Sequence, residues 1–233
     1  MVKEGNFVKI NFTGATKEDG KIFDTTIEEK AKEAGIHDKR VRYGPVLVPV
    51  GKHQVITGLD EELANAKKGD KKQITLAPDK AFGKRNTESV KLVPESKFKE
   101  QKVKPFVGMP VEIDGMRAKV QSISGGRVRV DFNHPLAGKE ITYDYEVLEV
   151  LEKPEEKFKA LAEDLLPGAK ASYENNECTV IVPEKVDKAS RDYLIKKTRL
   201  YVQAFEFIPE VKKMHFNEEW GAPTLTPAAK QAS

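Results

Sequence analysis

Apolar and polar residues alternate in several short stretches at the start of the chain, and this pattern predicts strands. Val8, Ile10 and Phe12 alternate with polar neighbours, and residues 21–24 and 72–76 are also extended in pattern. Asp19-Gly20 separates the first two stretches, as in a hairpin turn. Residues 43–50 are predicted to be extended because their two prolines exclude a helix interior.

Helical spacing appears twice in the same region. Residues 25–40 are predicted to be helical, because Thr26 followed by Glu29 matches a capping box and Gly35 supplies a stop. Within residues 53–67, Leu59, Leu63 and Ala66 share one face and predict a short amphipathic helix.

A polar, proline-punctuated stretch follows from residue 84. Short strands are predicted at 111–113, 118–120 and 128–132, with turn dipeptides between them. We interpret residues 85–138 as a small all-β module inserted into the first domain, which then comprises 1–84 and 139–152. The long strand at 141–150 has no partner nearby in sequence, so we expect it to return to the first sheet.

Pro154 marks a second boundary, and the order αββαβ after it predicts an α+β domain at 153–233. The second half of this domain is crowded with large apolar side chains: Tyr193, Leu194, Leu200, Tyr201, Phe205, Phe207, Met214, Phe216 and Trp220. Such a surplus in a small domain, with one sheet face left open, predicts an association surface, most simply for a homodimer. The alternative is that these residues only pack the domain itself.

Composition narrows the functional classes. The chain has 233 residues, with 40 basic and 37 acidic side chains and a net charge of +3. Its basic runs are interrupted by acids, so no nucleic-acid partner is expected. No apolar run approaches the length of a membrane span or forms a secretory signal core, and there is one cysteine. These features predict a cytoplasmic protein without a membrane partner.

No motif of nucleophilic, metallohydrolase or nucleotide-binding enzymes is present. The four histidines are scattered and Cys178 stands alone, so neither a metal nor a cofactor is expected. A set of aromatic and aliphatic residues and one acid lies at predicted strand ends and turns. On composition alone, its apolar members are core candidates.

Three strings change that interpretation: INFTGATKEDGKIFDTT at 10–26, residues 51–83, and ITYDYEVLEV at 141–150. They resemble the signature of FKBP-type peptidyl-prolyl cis-trans isomerases. The block VDFNHPLAGKE at 130–140 resembles the SlyD-like branch, whose insert is called the IF (insert-in-flap) domain. The long 25–50 segment and the appended 153–233 domain resemble long archaeal members of that branch. The resemblance covers about residues 1–150.

The resemblance implies an α+β fold in which an antiparallel half-barrel sheet wraps a short helix and leaves a proline pocket between them. Phe12 and Tyr143 would form its aromatic walls, and Phe23 would flank them with Asp24 as the polar edge. The Ile56 N–H group would meet a substrate carbonyl. The other implied pocket residues are Val55, Leu59 and Phe82, with Val46 on the neighbouring strand.

The sequence also departs from the family pattern. Phe12 and Phe82 stand where many relatives have tyrosine, and Leu59 where many have tryptophan. The histidine-rich metal-binding tail of bacterial SlyD is absent, which removes the reason to expect nickel.

The insert would bind unfolded chains as a chaperone, and its candidate substrate-binding residues are Met109, Ile113, Met116 and Val128. The alternative is that these residues form only the core of the insert. The expected function is therefore isomerase plus chaperone activity toward unfolded proteins with X–Pro bonds. The competing class is a non-enzymatic interaction protein built on a degenerate FKBP-like domain.

Overall fold

The computed structural model describes residues 1–219, which form three sheets with three apolar cores. Trp220, one of the apolar residues named above, lies outside the described residues. No helix within 1–219 is long and apolar enough to cross a membrane.

The first sheet contains five antiparallel strands, and its elements are β1 (Phe7–Thr16), β2 (Ile22–Thr25), β3 (Val46–Pro49), β4 (Lys71–Leu76) and β9 (Ile141–Leu151), with helices α1 (Glu28–Glu33) and α2 (Thr57–Leu63). Strand β9 pairs with both β1 and β4, so the expected return of 141–150 to this sheet is confirmed. Val8 and Ile10 are fully buried against Leu59 and Leu63 of α2, because the period-2 pattern of β1 faces the helical stripe of α2.

The helix predicted at 25–40 is much shorter, since α1 covers only Glu28–Glu33. The predicted capping box is also wrong, because Ile27 occupies the cap position and makes no side-chain hydrogen bond there. The hydroxyl of Thr26 instead accepts a hydrogen bond from the Phe12 N–H group at 2.9 Å. A contact with a distant strand has therefore replaced a local cap.

The insert has its own four-stranded antiparallel sheet in the order β5-β8-β7-β6, built from β5 (Val90–Pro94), α3 (Glu95–Glu100), β6 (Pro110–Ile113), β7 (Met116–Ser124) and β8 (Arg127–Asp131). The expectation of an all-β insert is wrong, because α3 lies within it. Phe98 of α3 is buried in the core of the insert with Val120, Val128 and Val130. Its apolar contact holds a helix in a segment whose polar sequence carried no helical pattern.

Two chain segments connect the insert to the first sheet and are hydrogen-bonded to each other along their length. The Gly138 N–H group donates to the Gly83 carbonyl at 2.8 Å, and the Phe132 N–H group donates to the Ser89 carbonyl at 3.0 Å. Between these two bonds, Asn133 exchanges hydrogen bonds with Asn86. We call this double connection the stem.

The C-terminal part follows the predicted αββαβ order, with α4 (Pro154–Leu165), β10 (Lys170–Glu174), β11 (Glu177–Ile181), α5 (Arg191–Phe207) and β12 (Lys213–Asn217). Both helices contribute to one core with Cys178 and Val180 of β11. The other sheet face is open but mostly polar, with Glu177 paired to Lys213 and His215. The sequence suggested that the surplus apolar side chains lie on the open sheet face, and the structure does not place them there.

Of these side chains, Met214 and Phe216 pack against the C-terminal core, and the exposed Leu194 and Tyr201 lie on α5, whose two opposite faces are both apolar. Leu200, Ala204 and Phe207 are buried in the core. On the opposite side, four large side chains are 46–55% exposed, and we call them the outer stripe: Leu194, Ile195, Tyr201 and Val202.

The C-terminal part packs directly on the first sheet. Phe7 of β1 is fully buried in the C-terminal core beside Phe158 of α4, and Leu47 and Leu151 pack against the same cluster. The Lys157 ammonium lies 5.9 Å from the centre of the Phe7 ring. In the alternating pattern of β1, Phe7 falls on the face opposite Val8 and Ile10, and its partner Phe158 is more than 140 residues away in the sequence.

Candidate active site

One cavity of about 540 Å³ opens between the first sheet and α2. Eight of the residues expected from the sequence line it: Phe12, Asp24, Val46, Val55, Ile56, Leu59, Phe82 and Tyr143. Phe23 does not line the cavity and packs behind its aromatic wall. The cavity size is within the range of sites that hold small ligands.

Aromatic contacts fix the shape of the wall. The Phe12 and Tyr143 ring centres are 5.6 Å apart, and the Phe23 ring meets those of Phe82 and Tyr143 edge-on at 5.5 and 6.0 Å. Such edge-to-face pairs are favourable beyond the area they bury. A further contact was not expected: His134, from the stem, stacks flat on Phe82 at 4.7 Å.

Gly14 allows this wall to close. A Cβ atom at that position would lie 2.7 Å from Cζ of Phe23 and 3.0 Å from Cε1 of Tyr143, which is closer than carbon atoms pack. The glycine is within the INFTG string, but the sequence does not reveal that two rings rest on it.

Asp24 provides the carboxylate among the pocket residues that the sequence singled out. Burial raises its pKa above the usual value of 3.8, against a weaker effect of a hydrogen bond from the Thr25 backbone. Burial, and next the nearby Asp24 charge, also raises the pKa of Tyr143 above its ordinary range. The Tyr143 hydroxyl thus stays protonated at physiological pH and remains a potential hydrogen-bond donor.

Hydrogen bonds hold Phe12 and Asp24 in register. The Thr25 hydroxyl donates to the Phe12 carbonyl at 3.0 Å, and the Thr26 hydroxyl accepts from the Phe12 N–H group. Thr25 also hydrogen-bonds the Thr13 hydroxyl at 2.9 Å. Two neighbouring threonines therefore fix the backbone of the strand that carries one wall of the cavity.

Asp60 fixes the opposite side of the cavity. Its carboxylate is 3% exposed and accepts hydrogen bonds from the N–H groups of Gly51 at 2.8 Å and His53 at 3.1 Å. These bonds hold the turn that leads into Val55 and Ile56. Sequence reasoning missed Asp60, although an acid in the first turn of a helix was a visible signal.

The C-terminal part supplies a further wall that sequence reasoning also missed. Leu161 and Asp164 of α4, with Arg199 and Gln203 of α5, line the same cavity. They reach it because the C-terminal core is packed on Phe7 and Leu47. Helical spacing in the sequence does not indicate which distant strand a helix will pack against.

Comparison with known proteins now identifies the family. A family model described as FKBP-type peptidyl-prolyl cis-trans isomerase matches residues 1–104, and one described as FKBP26, IF domain, matches 91–136. The chain is 33% identical over 150 residues to the short-type peptidyl-prolyl cis-trans isomerase of Methanocaldococcus jannaschii, covering 64% of this chain and 94% of that protein.

Bacterial relatives agree. The FKBP-type 16 kDa isomerase of Escherichia coli is 32% identical over 56% of this chain and 85% of its own length. The SlyD isomerase of Helicobacter pylori is 29% identical over 59% of this chain and 78% of its own length. The chain belongs to the FKBP-type peptidyl-prolyl cis-trans isomerases. It is an isomerase that carries an IF insert.

The insert of this isomerase contains a second cavity of about 370 Å³, which we call the insert groove. Met109 and Ile113, two of the candidate substrate-binding residues, line it, and their role in binding stays a prediction. Met116 is 48% exposed but lies outside the groove. The expectation for Val128 is corrected, because this side chain is fully buried in the core of the insert and cannot touch a substrate there.

Phe106 and Val107, which are 60% and 64% exposed, add apolar surface to the insert of the isomerase. Phe106 had not been singled out from the sequence. Within residues 1–219, no group of three or more His, Cys, Asp or Glu side chains is arranged to hold a metal ion.

Proposed function

We propose that this isomerase accelerates protein folding steps that are limited by X–Pro bonds. The prolyl bond would isomerise between cis and trans in the 540 Å³ cavity while the insert binds the unfolded chain. One observation carries the proposal. Eight residues that the family resemblance assigned to a proline pocket come from separate segments of the chain, and all line one cavity. The intact aromatic wall argues against a degenerate, purely binding domain.

The proposed mechanism is differential binding. Rotation about a prolyl bond has a barrier of roughly 18–20 kcal/mol because the planar amide is stabilised by resonance. The twisted transition state has lost that resonance and is less polarised. An apolar wall of Phe12, Phe82 and Tyr143 removes water from the amide and so disfavours the planar, polar ground state relative to the twisted state.

Two polar groups would orient the substrate. The Ile56 N–H group donates no hydrogen bond within residues 1–219, so it is free to bind a substrate carbonyl. Asp24 lines the same cavity and would accept from a substrate N–H group. No nucleophile and no proton transfer are needed, because the reaction changes only a dihedral angle.

The pocket assignment is tested by Asp24→Ala and Phe82→Ala. We expect both variants to lower isomerisation of a short X–Pro peptide while their far-UV circular dichroism stays that of the wild type. Glu18→Ala, an exposed acid in the turn between β1 and β2, is the matched control and should leave the rate unchanged. Unchanged rates in Asp24→Ala and Phe82→Ala would refute the assignment.

We further propose that the chain is divided as the sequence suggested, with 1–84 and 139–152 acting on proline and 85–138 binding unfolded chains. The insert groove and the exposed Phe106, Val107 and Met116 elsewhere on the insert support this role, because adaptable methionines suit varied apolar partners. A chain held there has its prolines at a high effective concentration near the pocket.

The stem allows a clean test of the insert. Ser89 and Phe132 are hydrogen-bonded neighbours, so residues 90–131 can be replaced by an Asn-Gly turn that leaves His134 stacked on Phe82. We expect this variant to isomerise a short peptide at nearly the wild-type rate but to lose most catalysis of proline-limited refolding. Equal loss in both assays would mean that the insert is structural.

For the C-terminal part we propose self-association through the outer stripe of α5. The four apolar side chains of the stripe lie on the helix face opposite the core, and a second copy would cover them in a two-fold arrangement. The alternative is that the helix carries this surface without a partner. The SlyD-like, long-type assignment of the whole chain likewise stays a proposal.

A further inference from the structure

The proline cavity extends from the aromatic wall to the C-terminal helices, and this second end differs chemically from the aromatic end. Its sides belong to β3 and to the two C-terminal helices. All four residues of Val46–Pro49 line the cavity on one side, and Arg199 and Gln203 line it on the other. Asp164 of α4 and Gln54 complete this end.

Strand β3 is an edge strand. Within residues 1–219 its one strand neighbour is β1, so its outer edge is not covered by another strand. The N–H and C=O groups of such an edge are a template for a further extended chain. Pro49 ends the strand and, lacking an N–H group, limits how far a chain could pair along it.

Three of the four polar side chains at this end are unpaired in the part of the chain that the structure describes, and the fourth, Gln54, donates only a long hydrogen bond of 3.4 Å to the Lys52 carbonyl. Neither Arg199 nor Asp164 makes an ion pair or hydrogen bond there, and the Gln203 amide makes none either. Arg199 offers only donors, Asp164 only acceptors, and the two glutamines both. This balanced set suits the alternating C=O and N–H groups of a neutral peptide backbone better than one charged side chain.

We propose that the space between β3 and α5 is a second subsite of the isomerase, which binds the main chain of the substrate next to its proline in extended form. The proposal rests on the proline pocket proposed above. It gives the C-terminal part a direct role in substrate binding, on a face of α5 that borders the outer stripe. Because the contacts are to the backbone, the subsite tolerates varied sequences, as a folding catalyst must.

The test compares a short X–Pro peptide with peptides extended by four uncharged residues on either side of the proline. We expect kcat/KM of the wild type to rise roughly tenfold on extension at one side, about the effect of one or two hydrogen bonds. In the double variant Arg199→Ala, Gln203→Ala, the ratio of long-peptide to short-peptide kcat/KM should fall toward one. Lys170→Ala, which removes an exposed cation elsewhere in the C-terminal part, should leave the ratio unchanged.

N-methylated peptides test the same subsite without any protein variant. Methylation of the N–H groups in the extension should abolish the rise in kcat/KM. Replacement of the uncharged side chains of the unmethylated extension by acidic or basic ones should change kcat/KM less than threefold. No gain with length in the wild type overturns the proposal. A gain restricted to acidic peptides, and lost with Arg199, also overturns it and indicates a side-chain site. Failure of the proline pocket would appear separately, as unchanged short-peptide rates in Asp24→Ala.

Discussion

Thr26→Val should destabilise the isomerase through one lost hydrogen-bond acceptor. The Thr26 side chain is 6% exposed, and its hydroxyl accepts from the Phe12 N–H group at 2.9 Å and lies 3.1 Å from Oδ1 of Asn11. Valine keeps the branched shape but leaves the part-buried Phe12 N–H group without an acceptor. Such a group costs about 1–3 kcal/mol of the free energy of unfolding. For a chain of this size the corresponding loss in melting temperature is roughly 2–12 °C.

The accompanying control is Thr26→Ser, which keeps the hydroxyl and removes a methyl group. Calorimetry gives the stability of both variants, and amide hydrogen exchange reports on Phe12 itself. We expect the Phe12 amide to lose protection in Thr26→Val and to keep it in Thr26→Ser, and short-peptide isomerisation to fall more in the valine variant. A Phe12 amide that is equally protected in both variants would refute the reasoning that the hydroxyl positions this wall.

Three further predictions follow from the same structure. Burial raises the pKa of Asp24, so the charged form of this carboxyl opposes folding. Asp24→Asn should therefore raise the melting temperature at pH 7 while it lowers isomerisation. The gain in stability should vanish below about pH 3.8, where the wild-type carboxyl is neutral in both the folded and the unfolded state. If the outer stripe of α5 joins two copies, light scattering should show the wild type as a dimer and the double variant Ile195→Glu, Val202→Glu as a monomer. The control Ile181→Glu, a matched change on the open sheet face, should stay a dimer. A wild-type monomer at tens of micromolar would contradict the dimer. Burial raises the pKa of the Cys178 thiol to about 12, so iodoacetamide should label it far more slowly in the folded chain than in urea, and equal labelling rates would contradict its burial.

The elements of the first sheet were predictable because each has a local signal. Period-2 alternation in β1, β4 and β9 and the helical stripe of α2 both face one core, so local pattern and tertiary structure agree. The αββαβ order was predictable for the same reason. The family resemblance, and not periodicity, separated the pocket residues from ordinary core candidates.

What escaped prediction depends on contacts between residues far apart in the chain. Thr26 was assigned to a helix cap because its partner, the Phe12 N–H group, cannot be seen in a local window. Phe98 sits in a polar stretch, and only the sheet of the insert makes its helix favourable. Arg199 and Gln203 reach the cavity through the packing of α4 on Phe7, which no spacing rule encodes.

The stem has a mechanical consequence for how the insert can work. A domain attached by one segment can rotate about that segment. The two antiparallel segments of the stem, hydrogen-bonded at Gly83–Gly138, Asn86–Asn133 and Ser89–Phe132, resist twisting more than they resist bending. The insert can thus bend relative to the first sheet more readily than it can rotate about the stem. Because His134 of the stem stacks on Phe82, bending of the stem would also shift the Phe82 ring in the aromatic wall of the proline cavity.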